Sequence, residues 1–328
     1  MPVSMLAVKK ELSIVFSVSL IIASCWSCES QILGMDIAVS LNDPIEIKKT
    51  PYYDWSETTT IIINQYGSLN FSHQSAAAYG KYALFVTGGR SKFCLYNLEN
   101  KTTVCTYSRS AQNSNLYHCN QSTFGVERYA PNDPFPLLYI SQRNNSSGRC
   151  FIEGYRIRPQ KAEDSQEYES FSIELVQTIY LPAMSYENSL GNANCAIDTS
   201  NNILYTYSRN NRSVEDNYGI CKITQFKMPP ARQAVVTYED KDIINAFMLD
   251  CTAVNMQGGC IQDGILYIGQ GLPSSGDLRL NVVDLEKQSL VRRFALKDFK
   301  VNWEPEGCFF YDGRLMLCHT AAIYEVLK

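Results

Sequence analysis

One alternation of polar and apolar positions recurs five times along the chain. Each copy opens on a polar residue followed by a small one. A short apolar stretch, a turn and a strand of the type Leu-aromatic-β-branched come next. The copies run from Gln74-Ser75 to Leu84-Phe85-Val86 and from Gln121-Ser122 to Leu138-Tyr139-Ile140. They continue from Asn194-Cys195 to Leu204-Tyr205-Thr206, from Gln257-Gly258 to Leu266-Tyr267-Ile268, and from Glu306-Gly307 to Leu315-Met316-Leu317. Repeats at such intervals indicate a propeller or an array.

Each repeat predicts an inner strand a, a turn, a strand b, a polar loop, and strands c and d. The a–b turns are Tyr79-Gly80-Lys81, Asn201-Asn202, Asp263-Gly264 and Asp312-Gly313. Asn, Asp and Gly tolerate the positive φ that tight hairpins need. Strands c and d are clearest in Phe93–Tyr96 and Leu280–Val283. The last repeat stops one strand short after Ile323–Leu327, and Thr59–Asn64 supplies a candidate for the missing one. The pattern therefore predicts an all-β, five-bladed propeller closed by an N-terminal strand, since ring closure pairs edges that would otherwise be exposed. Six blades remain the alternative if residues 40–70 hold most of a blade.

The first residues read as a targeting segment rather than as fold. Lys9 and Lys10 precede the apolar run Leu12–Ser24, which is shorter than the roughly 20 residues a bilayer span needs. Ile22-Ala23-Ser24-Cys25 has the form of a lipobox, with cleavage before Cys25 and the lipid on its thiol. An ordinary secretory signal cut nearby gives the same export. The expected organisation is a signal peptide at 1–24, a tether at 25–43 and the propeller at 44–328.

Composition adds two exclusions. The chain of 328 residues carries a net charge of −4. Loss of residues 1–24 takes away Lys9, Lys10 and Glu11, a net +1, and leaves −5. A weakly acidic chain without Lys/Arg runs has no electrostatic footprint for nucleic acid. Contact with a membrane is expected through the lipid alone. Twelve cysteines occur, ten of them after Cys25 and Cys28. An even number in an exported chain suggests disulfides. However, Cys195, Cys260 and Cys308 recur at nearly one point of three repeats, where a free thiol acts as a small buried hydrophobe. We read most of the ten as buried thiols.

The repeat also says where a site belongs. Strand a lines the central channel and strand b returns beside it, so a-starts and b-ends share one face. The a-starts give Gln74, Gln121, Asn194, Gln257 and Glu306, with His73, His118, Asn120, Asn192 and Glu304 just upstream. The b-ends give Arg90, Arg143, Arg209, Gln270 and His319. Together they predict a funnel mouth of amides, carboxyls, three His and three Arg. Convergent polar groups in a concavity form the usual binding site. Arg at that mouth favours a carboxylate, sulfate or phosphate. The amides equally suit a structural role between blades.

Catalysis has candidates in His73, His118 and Glu306. Glu304 and Glu306 lie two apart, which on an extended segment sends them to opposite sides. Only Glu306 is then expected to face the channel. A two-carboxylate glycosidase would need a second acid from another blade, for which Asp133 and Asp263 are candidates, Asp263 on the opposite face. A His-plus-Arg site suits β-elimination of a uronic acid. His73, His118 and His319 would bind a metal only if three blades converge, and we assign none. No G-x-S-x-G, H-E-x-x-H, P-loop or dinucleotide fingerprint is present, and no cofactor is expected.

The lipobox with an Asn- and Tyr-rich propeller resembles the exported β-propeller lipoproteins of Bacteroidetes. The segment His118–Gly125, followed by Phe135-Pro136-Leu137-Leu138-Tyr139, carries the resemblance over about one blade. It implies an uncharacterised outer-membrane lipoprotein in the bacterial envelope, often near glycan-handling systems, and implies no reaction. The expectation is a binding protein for a glycan or a small anionic ligand at the funnel. Two alternatives stand beside it. One is a uronate lyase or hydrolase using the same funnel, the other a scaffold for envelope protein partners.

Overall fold

The computed structural model describes residue 55 and residues 59–109, 118–143, 150–161, 163, 167–182, 194–209, 220–252 and 255–328. The signal peptide, the tether and Cys25 lie outside the described residues. So do residues 144–149 and 210–219, which the sequence pattern gives to b–c loops.

The chain forms five antiparallel sheets in sequence. Strand β1 (Ile62–Ser68) is followed by the first repeat, β2 (Ser75–Tyr79), β3 (Tyr82–Val86), β4 (Lys92–Asn97) and β5 (Thr102–Ser108). The second is β6 (His118–Phe124), β7 (Leu138–Arg143), β8 (Phe151–Lys161) and β9 (Tyr168–Tyr180). The third is β10 (Asn194–Asp198), β11 (Ile203–Arg209), β12 (Ile220–Lys227) and, after the short β13 (Val235–Thr237), β14 (Asn245–Thr252). The fourth is β15 (Met256–Gln262), β16 (Ile265–Gln270), β17 (Arg279–Asp284) and β18 (Ser289–Ala295). The fifth is β19 (Gly307–Tyr311), β20 (Arg314–His319) and β21 (Ala322–Leu327).

Two strands depart from simple repetition. β13 pairs in parallel with β9 and adds a fifth strand to the second blade. β1 pairs antiparallel with β21, so the first described strand and the last three share one sheet. That strand begins at Ile62, later than the sequence pattern suggests. The inner strands touch in the order β2, β6, β10, β15, β19 and back to β2. This ring of five blades is a β-propeller.

Alternation explains the packing. Successive residues of a strand face opposite sides of its sheet, and each blade is covered on both sides by neighbours. Five apolar clusters result, one per seam. Cys195, Ile197 and Phe226 of the third blade meet Tyr139, Ile152 and Ile179 of the second. Leu84, Phe93 and Leu95 meet Ile140, Tyr155 and Ile157 between the first two blades. Tyr207 and Ile223 meet Leu266, Ile268 and Val283 between the third and fourth. Val282 and Phe294 meet Leu315 and Leu317 between the fourth and fifth. Phe85 and Tyr96 meet Phe309 and Met316 where the ring closes. Deleting one such side chain to Ala costs about 2–5 kcal/mol.

The turn chemistry follows the sequence. Asp263-Gly264 and Asp312-Gly313 both take positive φ, 52° and 75° in one turn and 48° and 71° in the other. Asn202 sits at 54° and Gly80 at 57°. The ten cysteines from Cys94 to Cys318 are free, and all are buried except the half-buried Cys105 and Cys260. Burial raises the Cys195 and Cys318 thiols above their ordinary range.

Candidate polar site at one end of the axis

The predicted a-start residues do collect around the axis, but their hydrogen bonds go mainly to groups of the inner strands themselves. The Gln121 amide nitrogen donates to the carbonyl of Gly259 and, at 2.8 Å, to that of Ser122. Asn194 donates to the carbonyls of Met256 and Gln257 at 3.0 and 3.2 Å. Gln74 donates to the Glu306 carboxylate, and Gln257 to the Glu304 carboxylate. These bonds lace blade to blade. They satisfy buried polar groups that would each cost about 1–3 kcal/mol if left unpaired.

The axis is closed at this level. A Cβ on Gly258 would overlap the Cα of Gly307, and would lie 2.8 Å from Gln121 Oε1 and from the Glu306 carbonyl. The small residue after each polar one is therefore a packing requirement.

Glu304 and Glu306 do not part to opposite sides. The Glu306 N–H donates to the Glu304 carbonyl at 3.0 Å around Pro305, an i→i+2 bond of the γ-turn kind. The turn replaces the extended backbone on which the sequence expectation rested. Both carboxyls then meet amides of the mouth. Burial, and after it the neighbouring Glu304 carboxyl, raise the Glu306 carboxyl to about 8 against the opposing hydrogen bond from the Gln74 amide. Burial also raises Glu304, which stays half-exposed.

His319 belongs to this cluster. Its ring stacks on Trp303 at 5.2 Å, and Trp303 stacks in turn on Tyr324 at 4.4 Å. Nδ1 lies 3.2 Å from the Glu304 carbonyl and Nε2 2.7 Å from the Thr320 hydroxyl. Burial lowers its pKa. His73 lies deeper, only 3% exposed, with its ring edge against Phe85 at 4.7 Å. Its ring nitrogens make no well-formed hydrogen bond. Burial lowers it to about 4, and backbone groups of Phe71 and Thr320 partly oppose the shift. His73 is a neutral core residue rather than a mouth ligand.

The structure also places four other candidates away from the mouth. Arg90 is fully buried and ion-paired with Glu153 of β8, while its Nη1 donates to Tyr155 at 2.7 Å. Arg109 joins through the Arg90 carbonyl and the Tyr155 hydroxyl. This network staples the first blade to the second and removes Arg90 from the mouth. Gln270 is buried within the fourth blade, where it accepts from Asn281 at 2.9 Å. Asp133 pairs bidentately with Arg156, and Asp263 sits in an a–b turn, so neither joins the carboxyls of the mouth.

His118 and Arg143 stand opposite each other in the β6–β7 register, and Arg209 ends β11. The side chains of His118, Asn120, Arg143 and Arg209 lie outside the described residues, as does all of Asn192. Among the described residues no group of three His, Cys, Asp or Glu is placed to hold a metal ion. Sequence reasoning missed Thr320 and the stacking role of Trp303. Nothing local marks either, since both act through partners brought in by the fold.

The chain matches no protein family by sequence and no curated protein. Among solved structures it is similar to a glutaminyl cyclase from Myxococcus xanthus at 14% identity. That match covers 81% of this chain and 96% of the other, with a TM-score of 0.45. A glucose dehydrogenase matches at 11% identity over 81% and 99%, with a TM-score of 0.44. A luciferin-regenerating enzyme matches at 9% identity over 82% and 80%, with a TM-score of 0.37. No residue of the mouth is assigned from these neighbours.

Proposed function

We propose that this chain is an exported, lipid-anchored propeller of the bacterial envelope that binds a glycan at the polar end of its axis. Cys25 would carry the lipid, and the resemblance to Bacteroidetes lipoproteins points to the outer membrane. The observation that carries the binding reading is the gathering of Gln74, Gln257, Glu304, Glu306 and His319 from three blades at one end. Of these, Gln74, Glu304 and His319 remain half-exposed. Amide and carboxyl groups together offer both donors and acceptors to sugar hydroxyls. With Arg90 committed to Glu153 and two carboxyls at the mouth, a neutral glycan fits this end better than an anion. An anionic ligand would depend on Arg143 and Arg209.

The test is a glycan-array and thermal-shift screen of the full-length protein with neutral, uronic and sulfated polysaccharides. A neutral glycan that raises the melting temperature, with the gain lost in Glu304→Gln, supports the reading. Stabilisation by sulfated or uronic polymers alone, lost in Arg209→Ala, moves it to an anionic ligand. No shift with any glycan counts against both, and capture of envelope partners would then favour the scaffold.

One observation supports an enzymatic reading. A carboxyl with a pKa of about 8 holds its proton at neutral pH beside a second carboxyl, as a general acid requires. A hydrolase or lyase acting on the bound glycan would release new ends, and Glu306→Gln would bind without cleaving. Absence of products from a bound glycan over long incubation would remove this reading.

A further inference from the structure

The two ends of the axis differ. Below the Gly258–Gly307 closure, toward the a–b turns, lies a cavity of about 370 Å³. All five inner strands contribute to it, through their C-terminal halves. Its lining is mixed: Ala78, Phe124, Ile197, Ile261 and Phe310 share it with Ser122, Thr123, Thr199 and Gln262, polar and apolar atoms in about equal measure, and Tyr79 stands at the rim. Cys260 also borders it, its thiol turned to Cys308 in the seam between the fourth and fifth blades. No charged side chain borders it.

We propose that this well is a second binding site, for a small uncharged molecule that carries both an aromatic or apolar body and a hydrogen-bonding group, separate from the polar mouth. The volume falls at the low end of small-molecule pockets, about 300–1,000 Å³. The wall chemistry selects the occupant. An ionised ligand would lose its hydration there without gaining a counter-charge, which is costly. Aromatic rings and aliphatic side chains instead offer apolar area, and rings add edge and stacking contacts. A few neutral polar groups, the hydroxyls of Thr123 and Thr199 and the amide of Gln262, are available to orient the molecule. Rigid strands of five blades preform the walls, so little ordering cost opposes binding. The closed axis makes the well blind. A ligand enters from the turn face and does not reach Glu304 or Glu306. The two sites are then independent, and the well does not rest on the glycan reading.

The test is titration of the full-length protein with phenylnaphthylamine, an uncharged probe whose emission rises in apolar surroundings. One saturable site per chain is expected. Ala78→Trp fills the well and Gln262→Lys places a charge in it, and each should weaken binding about tenfold or more. Lys241→Ala, on an exposed surface, should leave it unchanged. Should Ala78→Trp fail to fold, Gln262→Lys decides. Non-saturable emission, or unchanged affinity in Gln262→Lys, overturns the proposal.

Discussion

Gln121 of the second blade donates its side-chain amide to the carbonyl of Gly259 in the fourth, reaching past the third blade across the ring. The bond is buried and joins residues far apart in the chain. It ties non-adjacent blades at the level where the axis closes. Gln121→Ala would leave a buried carbonyl without this donor, at about 1–3 kcal/mol. Urea denaturation should show a lower midpoint with an unchanged slope, because the fold persists. A midpoint like that of the wild type would mean that the bond contributes nothing net.

Gly258 sits where two inner strands approach closely. A methyl group there meets the Gly307 backbone and the Glu306 carbonyl, neither of which is a flexible side-chain end. Gly258→Ala should therefore destabilise by about 1–3 kcal/mol or more through overpacking. Gly276→Ala makes a useful contrast, since nothing lies near its Cβ and only its φ of 65° is strained. Thermal unfolding of the pair separates contact from conformation. A larger loss in Gly276→Ala would refute the closed axis.

The Arg90–Glu153 pair lies between the first two blades with Tyr155 bonded to both. Breaking such a buried pair strands a charge and costs about 3–5 kcal/mol, whereas replacing both members with apolar residues often costs far less. Glu153→Leu alone should destabilise strongly, and Arg90→Met with Glu153→Leu should recover most of the loss. A double variant as unstable as the single one would show that the pair contributes more than satisfied charge.

Glu306 and His73 should shape stability against pH in opposite senses. Glu306 has its pKa raised from 4.5 to about 8, so the folded state holds the proton more tightly than the unfolded chain. Its contribution is present at low pH and is lost as pH rises from 4.5 through 8. His73 is lowered from 6.5 to about 4. Its contribution is present above pH 6.5 and is lost as pH falls toward 4. The two oppose each other between pH 4.5 and 6.5, and Glu306 alone acts from there to 8. Glu306→Gln should flatten the decline between pH 6.5 and 8, and His73→Gln should flatten the acid side. Melting temperatures measured from pH 4 to 9 would show both, and an unchanged decline in Glu306→Gln would contradict the buried, protonated carboxyl.

Much of the fold was legible because strands repeat locally. The alternation of Ala76, Leu84 and Phe93-type positions, the Asp-Gly turns and the small residue after each a-start depend on backbone geometry within a few residues. The same local rules placed the amide ring and identified Cys195 and Cys308 as buried thiols. What sequence could not carry was the partner of each polar side chain. Arg90 has the same local form as a mouth arginine, and only the approach of β8 gives it Glu153. Glu304 and Glu306 looked divergent, and the turn at Pro305 brought both carboxyls to the amides of other blades. The well at the turn face exists only because five inner strands converge at one end, so no single repeat contains it. Strand pattern is a property of neighbours in sequence. Burial, charge pairing and cavities are set by residues up to four blades apart in the sequence, and these the tertiary structure alone decided.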